Sequence, residues 1–334
     1  MKICVFGAGA VGGFVAAELA SAGHDVSVIA RGAHLDAIRT SGITLESGGK
    51  TKLAKVRASE KPADIGPQDF VFVAAKGQSM GAVADAIAPL LGPDTPVVAA
   101  QNGIPWWFTY KHGGALDGRA LAAVDPNGRI AGTIGLQRAI GCVITTASAV
   151  SAPGVISHRG GRVFALGEPD GSESPRVQRV SDAMRQAGFD APVKPRIRDE
   201  VWTKLWGNIS FSQIALLTGS GLATLAKNPG TAALAHHIME ETQAVGEASG
   251  AKFGGTIDQR IQVTTGIGDH KTSILVDLEN GRPVEIDAQV GAVIEIARVL
   301  NVPAPTIELI YALVRQRAER AGCYTRGAFD PFTK

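Results

Sequence analysis

The sequence predicts an α/β chain whose second half is mostly α-helical. Three observations carry this. Short apolar, β-branched runs alternate with helical segments over the first hundred residues; Thr-, Gly- and Val-rich strand texture follows; and from Asp199 onward the apolar period is helical. Such alternation implies a parallel sheet covered by helices on both faces.

The elements follow in order. Lys2–Phe6 and Asp25–Ile29 read as strands, with 69–74 and 96–100 the next two. The runs 139–146, 154–158 and 162–166, separated by Ser, Ala, Pro and Gly, extend the same sheet, partly antiparallel. A polar loop of breakers over 167–175 precedes an amphipathic helix over 176–187 and a last short strand over 191–194. Helices are expected over 200–217, 231–249, 256–265, 284–300 and 306–320, divided by Gly, Pro or Asn. At roughly 150 residues per domain, 334 residues make two domains, expected at 1–195 and 196–334. The basic tail 317–334 reads as a partly ordered extension.

Charge is nearly balanced, 33 Lys+Arg against 31 Asp+Glu, so no global field draws the chain to nucleic acid or an anionic membrane. No apolar stretch approaches the roughly 20 residues of a membrane span. The first strand opens at once, without a basic region, a long apolar segment or a cleavage site. Cys4, Cys142 and Cys323 lie far apart, which fits a reducing compartment better than a disulfide framework, and Cys4 reads as core. These observations imply a soluble cytoplasmic protein with a small-molecule partner, without nucleic acid or membrane. The seven histidines form no HExxH and no cluster with ligand spacing, so no metal is expected. The sequence does not set the oligomeric state; a homodimer is one option.

Gly7-Ala8-Gly9-Ala10-Val11-Gly12 follows the first strand and opens a helix over 13–22, which ends at Gly23 before the second strand. In that context GxGxxG is the fingerprint of a Rossmann-type dinucleotide site. Gly7 allows the tight turn, Gly9 lets the backbone approach a pyrophosphate, and Gly12 lets helix and strand pack closely. The helix N-terminus offers N–H groups and positive dipole to phosphate. After the second strand, where an NAD site usually places an acid, the residues are Ala30-Arg31-Gly32. A guanidinium without a neighbouring acid suits a 2′-phosphate, so the expected cofactor is NADP (NADPH) rather than NAD or FAD.

The remaining candidates are too dispersed to assign by spacing. They run in chain order as Lys76 after a strand, Gln101-Asn102-Gly103, Pro153-Gly154-Val155-Ile156 with His158, and Trp202-Thr203-Lys204-Leu205 with Asn208. Lys271-Thr272-Ser273, Asp277, Glu285-Ile286-Asp287, Gly291 and Pro303 follow. Together with the glycine turn and Arg31, this order and spacing resembles the ketopantoate reductases, or 2-dehydropantoate 2-reductases, over almost the whole chain.

The resemblance implies NADPH-dependent reduction of a 2-oxo acid, ketopantoate first, as in pantothenate biosynthesis. It makes Lys204 the general acid that protonates the carbonyl oxygen as hydride reaches the carbon. It implies cofactor contacts from Lys76, Asn102, Glu285 and the backbone of Ala149. For the substrate it implies Asn102, Lys204, Asn208, Ser212 and Ser273. The chemistry supports the lysine independently, because hydride addition builds alkoxide character that a proton-donating cation stabilises.

Lys204 and Asn208 are four apart and share one face of an expected helix, and Ser212 continues that face. Without the resemblance, such a stripe reads as a solvated helix face. Trp202 and Trp206 read as core. The chain departs from the family in carrying Ser212-Gln213 where a second Asn and a Pro are usual, and the glutamine expected after Lys76 is Gln78 or Ser79 in uncertain register. A Ser hydroxyl reaches less far than an Asn amide and bonds fewer groups, so another branched or polyhydroxylated 2-oxo acid, or a related 3-hydroxy acid, is the alternative substrate. An NADP(H)-binding sensor without catalysis is the reading from another class; retention of Lys204, Asn208, Ser273 and Glu285 together argues against it.

Overall fold

The structure, a computed structural model, describes residues 1–266 and 268–332. It divides into two compact units, Met1–Gln101 with Arg129–Ile197, and Asn102–Gly128 with Arg198–Lys334. The last two residues of the basic tail, 333 and 334, lie outside the described residues.

The first unit is built from β1 (Lys2–Phe6), α1 (Ala10–Ser21), β2 (Asp25–Ile29), α2 (Gly32–Ser41), β3 (Ile43–Ser47), β4 (Lys50–Ala54) and β5 (Arg57–Ser59). There follow β6 (Phe70–Val73), α3 (Met80–Ala86), β7 (Val97–Ala99), α4 (Arg129–Ile134), β8 (Ala139–Ala152), β9 (Val155–Gly167) and α5 (Pro175–Gln186). Its sheet runs β4-β3-β9-β8-β7-β6-β1-β2-β5. From β8 through β5 every pair is parallel, while β8–β9 and β3–β4 are antiparallel. The chain leaves β1 toward β2 and β5 on one side and returns to β6, β7 and β8 on the other. That reversal is the switch point at which open α/β sheets take ligands, beyond the carboxyl ends of the strands.

α1 carries almost no polar side chain, and it is buried on most sides because β1, β2, β3, β4, β8 and β9 all pack on it. The sheet curls around it. Its one acid, Glu18, is buried and is satisfied by Lys52 and by Arg162 at 3.0 Å. Phe14, Phe72, Phe164 and Phe189 join the surrounding core, each fully buried aromatic contributing about 1.5–3 kcal/mol of transfer free energy. Cys4 is core as expected, its thiol pushed up to about 12 by burial.

The expected strands 69–74 and 96–100 form slightly shorter, as β6 and β7. The three runs expected over 139–166 fuse into one long hairpin, turning at Pro153-Gly154 with Gly154 at φ 77°. Residues 191–194 form no strand; Val193 makes a single bridge to Leu166 of β9, as Asp190 does to Val163. The β3–β4 hairpin was not expected. Its signal is present in the sequence, since Gly48 and Gly49 both take positive φ, as a two-residue hairpin turn requires.

The second unit holds α6 (Ile197–Ile209), α7 (Phe211–Thr218), α8 (Leu222–Lys227), α9 (Pro229–Ala248), α10 (Ile257–Gly266) and α11 (Ser273–Glu279). A π-helical turn, Asp287–Gly291, then leads into α12 (Ala292–Val299) and α13 (Pro305–Arg320). The one helix expected over 200–217 is two. Ser210, fully buried at φ −97° and ψ −90°, breaks it by donating its hydroxyl to the Trp206 carbonyl. Trp202 and Trp206 are core, Trp206 stacking on Phe253 at 4.5 Å.

Residues 102–128, which the sequence places in the first domain, belong to this unit. Arg198 donates to the Phe108 and Tyr110 carbonyls at 2.8 and 2.6 Å, Glu295 accepts from the Ala122 and Ala123 amides, and Ile104 N–H donates to Ala288 O at 2.7 Å. Past α13 the basic tail packs rather than extends: Cys323 is buried, its carbonyl accepts from Val284 N–H, and Tyr324 donates to Asp287 at 2.7 Å. No helix among the described residues is long and apolar enough to cross a membrane.

Candidate active site

The glycine turn links β1 to α1. Gly7 sits at φ 98°, and its amide and that of Ala8 both donate to Ile29 O, at 3.0 and 3.2 Å. A Cβ built on Gly12 would lie 1.9 Å from Gly7 O, so this position must be glycine for helix and turn to meet. A Cβ on Gly9 would meet nothing within 4 Å. Gly9 is also the N-cap of α1, without a side-chain cap and without an acid in the first turn. Ala10 and Val11 open the helix. The first amides of α1 have no partner within the helix and lie at its positive end, the environment a pyrophosphate needs.

Arg31 lies just beyond the carboxyl end of β2, exposed, and its guanidinium makes no hydrogen bond or ion pair among the described residues. Lys76 follows β6, half-buried, at the start of a 3₁₀ turn. Both therefore stand on the strand-end edge that carries the glycine turn. Ala149 is half-buried within β8, paired with Ser157. His158 is structural: it stacks on Phe14 at 4.1 Å and bonds Ser47 and Gly161.

In the second unit Lys204 Nζ donates to Asn102 Oδ1 at 2.7 Å. Two residues separated by 102 positions in the chain are thus joined directly. Lys204 and Asn208, both half-buried, share a face of α6. The break at Ser210 puts Ser212 on a separate helix, half-buried in the first turn of α7, so one helix does not carry all three residues. Across the break, Gln213 Nε2 donates to Asn208 O at 2.8 Å and to Gln289 Oε1 at 3.2 Å. Gln213 is fully buried, and it recovers a carbonyl that the broken helix would leave without an acceptor role. Ser273 is the exposed first residue of α11, and Glu285 is half-buried just before the π-helical turn.

His34 and Gln213 are contributors that sequence reasoning missed. His34 Nε2 donates to Ala8 O at 2.7 Å, and its Nδ1 accepts from Gly154 N–H at 2.9 Å, so it ties the glycine turn to the β8–β9 turn. No motif marks it; the only available signal is its place one helical turn after Arg31. Among the described residues no group of three His, Cys, Asp or Glu is arranged to hold a metal.

The sheet order, the glycine turn at its switch point and a lysine held by an amide define the class, a Rossmann-type oxidoreductase. Comparison with known proteins narrows it. Residues 3–171 match the family described as ketopantoate reductase PanE/ApbA, and 196–318 match its C-terminal domain. A 2-dehydropantoate 2-reductase from Mesorhizobium japonicum is 51% identical over 326 residues, 97% of this chain and 100% of that one. A crystal structure assigned as a ketopantoate reductase, from Ralstonia solanacearum MolK2, has 41% identity and a TM-score of 0.92 over 97% of this chain and 99% of that one. The chain belongs to the ketopantoate reductase family and is an oxidoreductase of the class acting on CH–OH. The fold also occurs in D-mandelate dehydrogenase, solved with NADH and anilino(oxo)acetate, at 19% identity and a TM-score of 0.83 over 97% of this chain and 100% of that one.

Proposed function

We propose that this chain reduces the ketone of a 2-oxo acid, ketopantoate first, with NADPH as the reductant and Lys204 as the proton donor. The observation that carries the reading is the Lys204–Asn102 hydrogen bond, which fixes an ammonium on a helix face beside Asn208. The family relationship supports the substrate, since the 51% identical relative is a 2-dehydropantoate 2-reductase.

The nucleotide, when bound, supplies hydride to the carbonyl carbon. The chain's own residues do the rest. The unpaired amides of the first turn of α1, from Ala10 to Gly12, hold the pyrophosphate, and Arg31 takes the 2′-phosphate through charge-assisted hydrogen bonds. Lys76, Ala149, Asn102 and Glu285 are the further cofactor contacts. An ammonium has three N–H donors; one of those of Lys204 serves the ketone oxygen, polarises it, and transfers its proton as the C=O electron pair moves onto oxygen. The product is the 2-hydroxy acid, and Lys204 regains its proton from solvent. Asn208 and Ser273 hold the substrate's polar groups. Ser212, standing where the family usually carries a second Asn, supports a second reading in which the oxo acid is a different branched or polyhydroxylated one. Three scattered, buried, free cysteines support a cytoplasmic location.

The test is NADPH oxidation against a panel of 2-oxo acids that includes ketopantoate. Lys204→Ala should lower turnover by about 10²–10⁴-fold, the range for a lost general acid, with NADPH affinity unchanged. Unchanged turnover removes Lys204 from the mechanism.

A further inference from the structure

Arg260 stands in the first turn of α10, and its side chain lies across α6 at Gly207. A Cβ built on Gly207 would be 2.8 Å from Arg260 Nη2 and 3.7 Å from Cζ, so the guanidinium rests on the bare backbone of Gly207 and a methyl there would shift it. Its Nε is buried without a hydrogen-bond partner, and among the described residues the side chain has neither a hydrogen bond nor an ion pair. The acid two residues away, Asp258, is turned to solvent and faces His236 at 3.5 Å. Burial lowers the Arg260 pKa, the mark of a cation taken out of water without a counter-charge. A desolvated, unpaired charge costs several kcal/mol, and an anion relieves that cost.

The position says which anion. Gly207 is three residues beyond Lys204, about 60° around the helix and about 4.5 Å along its axis, and it adjoins Asn208. The guanidinium therefore borders the face that carries Lys204. In a 2-oxo acid the carboxylate carbon is bonded to the ketone carbon, so a site that protonates the ketone oxygen has the carboxylate beside it. Guanidinium is the side chain whose fork matches a carboxylate in two parallel hydrogen bonds.

We propose that Arg260 binds the substrate carboxylate and so restricts the enzyme to 2-oxo acids over neutral ketones. The inference rests on the function proposed above, with Gly207 serving as the platform that admits the guanidinium.

The experiment compares wild type with Arg260→Gln, Arg260→Lys and Gly207→Ala on ketopantoate and on its neutral amide, with NADPH affinity measured separately. For ketopantoate, Arg260→Gln should raise KM by about 30–100-fold, some 2–3 kcal/mol at about 1.4 kcal/mol per decade. Its activity on the amide and its NADPH affinity should match wild type. Arg260→Lys should recover part of the loss, and Gly207→Ala, which keeps the charge but displaces the fork, should show the same acid-selective defect. Equal losses on acid and amide would make Arg260 a packing residue, and weakened NADPH would make it a nucleotide-phosphate ligand; either overturns the proposal. Calorimetry with oxamate separates this outcome from failure of the proposed function. If wild type reduces no 2-oxo acid, oxamate binding that is lost in Arg260→Gln still upholds a carboxylate site. Equal oxamate binding by the two proteins, or none by wild type, overturns it.

Discussion

Gly9 and Gly12 lie three residues apart in the same turn, and the structure assigns them opposite roles that alanine substitution separates. At Gly12 an added Cβ would lie 1.9 Å from Gly7 O and 3.1 Å from Ala74 Cβ, where ordinary contact begins at 3.4 Å. The obstacle is backbone, so the turn must open by more than 1 Å. Overpacking of this kind costs about 1–3 kcal/mol, and a backbone clash stands at the upper end. With about 2–4 °C of Tm per kcal/mol for a unit of this size, Gly12→Ala should melt about 6–12 °C lower without ligand. At Gly9 an added Cβ meets nothing, and φ −64° suits any residue. Gly9→Ala should therefore melt within a few tenths of a kcal/mol of wild type, as small surface changes do. Its methyl would project into the space reserved for the pyrophosphate and should weaken nucleotide binding by at least about tenfold, or 1.4 kcal/mol. Differential scanning calorimetry without nucleotide and fluorescence titration with NADPH read the two effects. A Gly9→Ala protein that melts as low as Gly12→Ala, or binds NADPH as tightly as wild type, refutes the assignment.

Two further predictions concern charge. Arg31→Ala should weaken NADPH by about tenfold or more while leaving NADH unchanged, because a charge-assisted contact of about 1.5–3 kcal/mol is lost only where a 2′-phosphate exists; equal effects on the two nucleotides in a binding titration would sink the NADP assignment. Asp287 is pushed above the usual carboxylate range by burial, although Tyr324 and Tyr311 donate to it and Arg315 lies nearby. A raised folded-state value means that the folded protein holds the proton more tightly. The stability contributed is then fully present below the unfolded value of about 3.9 and is lost as pH rises through the folded one. Asp287→Asn, which does not titrate, should gain on wild type in thermal melts taken from pH 4 upward, and a pH-independent difference between the two proteins would show that Asp287 titrates as it does in the unfolded chain.

The nucleotide half was legible because its information is local. Lys2–Phe6, the glycine turn, Asp25–Ile29 and Arg31 are contiguous, and both the strand period and the need for Gly7 and Gly12 follow from short-range sterics. The tertiary structure decided what depends on groups distant in sequence. The Lys204–Asn102 bond spans 102 positions, so spacing could not supply it and only family resemblance paired the two. Residues 102–128 carry no element pattern that assigns them to a unit; Arg198, Ala288 and Glu295 assign them by taking or giving backbone hydrogen bonds. The helical period ran unbroken from 200 to 217, yet Ser210 divides it, because a serine that bonds back to Trp206 leaves the hydrophobic pattern unchanged while altering the backbone. Local sterics and apolar period thus fixed where a dinucleotide would sit. Long-range contacts joined Lys204 to Asn102 and brought Arg260 onto Gly207, while the break at Ser210 put Ser212 on a separate helix from Lys204.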